Sequence, residues 1–126
     1  MDSAHCIFCV PKPESVLRRT PLVYAFWDAY PVTPLHALII PNRHIATVFE
    51  MTSDELDASM ALIQDVRELI LAKDPAVTGF NVGTNAGVSA GQTILHAHIH
   101  LIPRRSGDVP CPRGGVRHVI PGKGSY

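Results

Sequence analysis

The stretch TILHAHIHLI (93–102) alternates polar and apolar residues through its middle, and HAHIH (96–100) spends three of the chain's seven histidines on that alternation. A period of two is the period of a β-strand. The pattern predicts a strand over 93–102 with His96, His98 and His100 on one face. Ala97, Ile99 and Leu101 then turn the other way, into a core. Successive imidazoles on such a strand stand roughly 6.5–7 Å apart, close enough for neighbours to converge on one ligand.

Other segments supply what this strand packs against. LVYAFWD (22–28) is rich in β-formers and follows Pro21, and HALIIP (36–41) reads as a strand stopped by Pro41. The intervening YPVTPL carries two prolines and forms a connection, and RHIATVFE (43–50) reads as a short helical turn. The one clear helix spans 52–74. Thr52 and Glu55 have capping-box spacing, Asp54 suits the positive end of the helix dipole, and Pro75 ends the helix. Leu56, Met60, Ile63, Val66 and Ile70 form its expected apolar stripe. TGFNVGT (78–84) gives a further strand. Residues 103–126 are rich in Pro, Gly and Arg and predict a tail ordered on something, closing over a site or a partner. Strands around one long helix make an α+β domain with a mainly antiparallel sheet. The expected organisation is one domain over 1–126, with an N-terminal segment (1–20), a core (21–102) and the tail (103–126).

Charge and hydropathy narrow the function. Eleven Lys and Arg balance eleven Asp and Glu, so no electrostatic footprint marks a nucleic-acid or anionic-membrane partner. No apolar run approaches the roughly eighteen residues of a membrane span, and MDSAHCIFCVPKPE lacks the features of a signal peptide. Three cysteines do not make a disulfide framework, which points to a reducing cytoplasm.

Three chemistries fit the aligned histidines. They can be the wet face of an ordinary strand, although histidine is uncommon and loses solvation when buried. His-x-His is also a frequent metal-ligand pair, but catalytic sites usually add a carboxylate, and Asp108 is the only acid after Asp74. Alternatively, a neutral imidazole attacks phosphorus and leaves again, with flanking histidines setting its tautomer and donating to phosphate oxygens. NAGVSAGQT, just upstream, carries Gly87 and Gly91, whose backbone N–H groups can converge on an anion. Cys6 and Cys9 form C-x-x-C, which suits two thiolates on one ion, a redox pair, or two small buried residues. Pro11 and Pro13 disfavour the helix that a redox pair usually opens.

GQTILHAHIHLIPRRSGD resembles the histidine triad superfamily. Gly91-Gln92-Thr93 and the run Pro103-Arg104 to Gly107-Asp108 resemble its fragile-histidine-triad branch, and the similarity extends back through Asn85-x-Gly87, His36–Pro41 and Asp28. The resemblance implies an antiparallel sheet with helices, paired into a homodimer with a continuous ten-stranded sheet. It also implies hydrolysis or transfer at the α-phosphorus of a nucleotide. His98 would be the nucleophile, forming a nucleotidyl-histidine, with His96 orienting it and His100 and His36 completing the cluster. Asp28 would meet the ribose; Asn85, Gln92 and Thr93 would lie on the phosphate or leaving-group side. Purine nucleotides and dinucleoside polyphosphates are the implied partners, with Mg²⁺ accompanying a polyphosphate. The tail departs from the phosphoramidase branch, and Arg104, Arg105, Arg113, Arg117 and Lys123 could charge-match a polyphosphate. Some bacterial members hold a structural Zn²⁺ on such a cysteine pair together with the positions of His44 and His96. An adenosine phosphoramidase, a phosphorylase, a nucleotide sensor with incidental hydrolysis, and a histidine-rich metalloenzyme remain as alternatives.

Overall fold

The computed structural model describes residues 5–126; the first four, which open the stretch read for a signal peptide, lie outside the described residues. Five strands form one sheet: β1 (Val16–Arg19), β2 (Val23–Trp27), β3 (Ala37–Pro41), β4 (Val77–Gly83) and β5 (Ile99–Arg105). Their order is β1-β2-β3-β5-β4, and every neighbouring pair is antiparallel. The helix α1 (Ser53–Lys73) connects β3 to β4, and β5 then slots between those two strands.

Strands β2 and β3 are buried on both faces, which is why VYAFW and ALIIP are continuous apolar runs. On one face Val23, Ala25, Ala37, Ile39 and Leu101 pack against Leu62, Ile63, Val66 and Ile70 of α1. On the other face Tyr24, Phe26, Leu38 and Ile40 are covered by Cys6 and Phe8. Each fully buried Ile or Leu contributes about 1.5–3 kcal/mol. This two-sided burial therefore anchors both the helix and the N-terminal segment to the sheet.

Four expectations need correction. β1 lies in the segment expected to be only an N-terminal extension. The histidine strand begins at Ile99 rather than near residue 93, and it runs on to Arg105. Pro41 supplies the reason. Its nitrogen carries no hydrogen, so the ladder between β3 and β5 ends at Ile39 and Ile99, and the chain before His98 peels away. The apolar stripe of α1 is also displaced, because Leu56 and Met60 are exposed while Glu55, Ser59 and Leu62 face inward. Glu55 is drawn in by Arg43, whose Nε and Nη2 donate to its carboxylate at 3.2 and 2.8 Å. Ser59 follows one turn later, with its hydroxyl donating to the Glu55 carbonyl. Finally, the tail ties down its own charges. Arg104 pairs with Asp108 and Asn81, Arg105 with Asp74, and Arg113 and Arg117 both lie against the Tyr126 ring. Its helical turn at Gly115–Val119 rests on β4.

The capping box is present as the spacing predicts: Glu55 N–H donates to Thr52 Oγ1, and Thr52 N–H donates to Glu55 Oε1. Thr52→Ala should cost about 1 kcal/mol in urea denaturation. Glu55→Gln should cost more, about 2 kcal/mol, because it also removes the charged partner of Arg43. The Arg43 hydrogen bond, then the Thr52 amide, holds the Glu55 carboxyl down from 4.5 to about 2. Its contribution is therefore present above about pH 4.5 and fades as pH falls towards 2. Glu55→Gln should lose that acid-dependent part of the denaturation midpoint.

Candidate active site

Nine side chains form a line along one side of the sheet. Asp28 ends β2, His36 opens β3 and His100 sits on β5; then come His98, Phe8, His96 and His44, with Cys6 and Cys9 at the far end. Neighbouring ring centroids are 5.1 Å apart for His36–His100, 5.2 Å for His98–His100 and 5.0 Å for His44–His96. The Phe8 ring stands edge-on between His98 and His96, at 5.0 and 5.9 Å. The three triad rings therefore do not share one evenly spaced strand face. His98 and His100 stay together, while the bend before Ile99 sends His96 toward the cysteines.

The backbone decides which nitrogen of each ring carries a hydrogen. His98 Nδ1 lies 2.8 Å from the His96 carbonyl oxygen, an acceptor only, so Nδ1 is the protonated nitrogen and Nε2 keeps its lone pair. The Val32 N–H donates to His36 Nδ1 at 3.1 Å, which leaves the hydrogen of His36 on Nε2. That Nε2–H donates to His100 Nδ1 at 2.9 Å, so His100 carries its own hydrogen on Nε2. A ring with an acceptor nitrogen, His98, thus packs against a ring with a donor nitrogen, His100. Burial, then the neighbouring His98 and His36 rings, pushes His100 down to about 4, and burial lowers His36 against the opposing pull of Asp28. Both are neutral near pH 7, as this chain of donors requires.

Asp28 Oδ2 lies 3.4 Å from His36 Nε2 and 4.0 Å from His100 Nδ1. The ligand atoms of Asp28, His36 and His100 fall within 4.8 Å of one another, as in a metal site. A metal there would need the His36 Nε2 lone pair, which the Val32 contact excludes. This cluster is a hydrogen-bonded relay.

At the other end the same reasoning gives the opposite answer. His96 is fully buried, and its Nε2–H donates to the Pro41 carbonyl at 2.8 Å, so Nδ1 presents a lone pair. That lone pair faces His44 Nδ1 at 3.1 Å, Cys6 Sγ at 3.4 Å and Cys9 Sγ at 3.5 Å, and Cys9 Sγ lies 3.1 Å from His44 Nδ1. A tetrahedral zinc with bonds of about 2.0–2.3 Å sets its ligand atoms about 3.3–3.8 Å apart. These four separations nearly match such edges, and all four ligand atoms lie within 4.8 Å of one another. Cys6, Cys9, His44 and His96 therefore fit a closed metal centre. Burial, aided by Cys6, pushes the Cys9 thiol up to about 11, so an ion must displace thiol protons as it binds.

The upstream loop is built differently from expectation. Gly87 and Gly91 have φ of 98° and 90°, which side chains other than glycine rarely adopt. However, the N–H groups of Gly87, Ala90, Gly91 and Gln92 donate within the loop, so they do not form an anion cradle. Gln92 is buried: Oε1 accepts from Gly87, and Nε2 donates to the Ala46 and Ile94 carbonyls. It holds the loop to the chain after β3. Asn85 is half-buried and Thr93 exposed. Two contributors escaped the sequence reading. Phe8 lies between the two cysteines and was legible as an apolar residue in that motif. Thr84, whose hydroxyl donates to the His98 carbonyl at 2.7 Å, had no signal.

The HIT domain family matches residues 11–107, a span that contains β1 to β5 and all three triad histidines. The chain belongs to the HIT family. A bis(5'-nucleosyl)-tetraphosphatase of Schizosaccharomyces pombe is 36% identical over 98 residues, covering 78% of this chain and 53% of that protein. An AP-4-A phosphorylase of Mycobacterium tuberculosis is 38% identical over 95 residues, covering 74% and 48%. The chain thus spans about half the length of these curated relatives. The crystal structure of a zinc-bound histidine triad family protein from Mycobacterium smegmatis superposes with a TM-score of 0.76 at 27% identity, covering 85% of this chain and 80% of that one.

Two outcomes follow for this HIT domain. One equivalent of Zn²⁺ should bind with release of about two protons, from Cys6 and Cys9, measured by calorimetry in buffers of different ionisation enthalpy. Cys9→Ser should remove at least one of those protons and weaken binding. Separately, the unfolded chain binds more protons at His100 between about pH 6.5 and 4 than the folded chain does. Stability should therefore drop as pH is lowered from about 6.5 to 4, and His100→Gln should flatten that dependence of the urea midpoint.

Proposed function

We propose that this protein is a nucleotide hydrolase that cleaves at the α-phosphorus of a nucleoside 5′-phosphate anhydride, of the dinucleoside polyphosphate kind. One observation carries the reading: the His98 ring, with its lone pair on Nε2, packs 5.2 Å between centroids from the His100 ring, which carries its hydrogen on Nε2. His98 Nε2 attacks phosphorus, a P–N bond forms, and the P–O bond to the leaving group breaks with its electron pair going to that oxygen. Water then attacks the nucleotidyl-histidine. The P–N pair returns to Nε2, and the water proton passes to solvent. The donor on His100 meets charge that develops on the phosphate oxygens, a form of stabilisation worth several kcal/mol in a pre-set site.

Asp28 would bind the ribose. In its absence that carboxylate rests against His36, and its half-buried position leaves it able to turn to a sugar hydroxyl. Asn85 and Thr93 would lie on the phosphate side, with Gln92 acting through the loop it holds. Mg²⁺ would accompany a polyphosphate. Cys6, Cys9, His44 and His96 would hold a structural Zn²⁺, which clamps the N-terminal segment to His96 and supplies no step of the displacement. Among the described residues no helix is long and apolar enough to cross a membrane, and the free thiols suit a reducing cytoplasm. A homodimer with a continuous sheet is the expected assembly.

A second reading keeps the first half-reaction and changes the acceptor. The M. tuberculosis relative carries the name phosphorylase, and orthophosphate in place of water would return a nucleoside diphosphate. Product analysis in the presence of phosphate separates the two. His98→Ala should lower turnover of a dinucleoside polyphosphate at least a thousandfold, roughly the scale of losing a nucleophile, while nucleotide binding stays measurable. Near-normal turnover in that variant would exclude a nucleotidyl-His98 intermediate. A substrate panel that includes adenosine phosphoramidate sets this reading against the phosphoramidase alternative.

A further inference from the structure

The hydrogen on His100 Nε2 traces back to a backbone N–H in the loop between β2 and β3, residues 29–35. That loop is held under tension and from several sides. Leu35, directly before His36, has φ of 71°, a left-handed conformation costly for a leucine. Thr33 Oγ1 donates to the Pro103 carbonyl at 2.7 Å, and Asp28 N–H donates to the His36 carbonyl at 3.0 Å. The remaining tie is Arg105, the last residue of β5. Its Nη2 donates to the Pro34 carbonyl at 3.0 Å, while Nε and Nη2 lie 3.0 and 2.9 Å from Asp74 Oδ2 at the C-terminal end of α1. Arg105 points to the helix side of the sheet, whereas His100 belongs to the opposite face, so it cannot touch the reacting atoms. Its Nη1 is buried with no hydrogen-bond partner. That orphan is a cost accepted for the other two contacts.

We infer that Arg105, braced by Asp74, is a positioning residue for the reaction: it fixes the Pro34 carbonyl and thereby keeps the Val32 N–H on His36 Nδ1, which makes His100 an Nε2–H donor. Hydrogen bonds tie the helix end to Pro34 through Arg105 and Val32 to His36, and the backbone from 32 to 34 joins the two. If Val32 drifts from His36, Nδ1 loses the donor that specifies its state. Only Asp28 Oδ2, 3.4 Å from Nε2, then favours the hydrogen there, so the preference weakens and both His36 and His100 populate a second tautomer. Molecules in that second form would aim a lone pair at the phosphate oxygen in place of a hydrogen. A second lysine-like point charge could not serve, because Asp74 and Pro34 are reached by two nitrogens of one planar fork.

This inference rests on the proposed displacement at His98, but its primary readout does not. In the ligand-free full chain, long-range ¹H–¹⁵N spectra of the imidazoles should show His36 and His100 each as a single tautomer with the hydrogen on Nε2. Arg105→Ala should give averaged nitrogen shifts for both rings and lower kcat by roughly ten- to a hundredfold, with KM changed less than threefold. Added guanidinium ion should restore part of kcat, and Arg105→Lys should not match the wild type. Val32→Pro removes the N–H itself and should give the same spectral signature without touching Arg105 or Asp74. Unchanged His100 shifts and kcat in Arg105→Ala, with only a lower melting temperature, would overturn the inference. So would single-tautomer spectra in Val32→Pro. Wild-type protein that shows the single tautomers yet turns over no nucleotide would instead count against the proposed function.

Discussion

The hydrogen bond from His96 to the Pro41 carbonyl organises more of this molecule than any other single contact. A fully buried imidazole has two nitrogens to satisfy, and this bond spends one of them on the backbone of β3. The other nitrogen is then turned toward Cys6, Cys9 and His44. The same residue's carbonyl receives the His98 Nδ1–H, so the nucleophile candidate inherits its tautomer from the segment that the His96 ring anchors. Pro41 allows this because it cannot continue the ladder: where an N–H would have extended the strand pairing, a bent segment with a free carbonyl partner appears. Remove the bend, and the three histidines return to one face with no division of labour.

That division is physical and not merely positional. His96 has no exposed surface and faces soft sulfur ligands, which suits a closed tetrahedral centre. His100 is partly open, and its neighbours are another neutral ring and a carboxylate, which suits a donor to an anion. His98 lies between them, screened from the cysteine end by Phe8. The aromatic wedge separates two sites whose chemistry would conflict, since an ion bound on His98 would quench the lone pair that the proposed displacement needs.

Much of this was legible beforehand. The helix, its capping box and strands β2 and β3 appear in the structure as the motifs indicate, and the fold brings Cys6, Cys9, His44 and His96 together at one end and His36, His98 and His100 at the other. The differences share one cause: a long-range contact overrides the local pattern. Leu56 and Met60 carry the right period but lose the inward face to Glu55, because Arg43 lies across from it. Gln92 and the glycines look like an anion loop until their donors are counted and found spent on each other. The arginines of the tail look available until Asp108, Asn81, Asp74 and Tyr126 are found beside them.

The sequence by itself determined the kinds of groups and their local order: alternating histidines, a cysteine pair, two-sided apolar strands and a capped helix, because these follow from periodicity and side-chain chemistry within a few residues. Only the tertiary structure decided which nitrogen of each histidine carries a hydrogen. The hydrogen on an imidazole nitrogen is assigned by whatever backbone group stands 3 Å away. Those groups come from Val32, Pro41 and His96, residues whose own side chains carry no sign of the role.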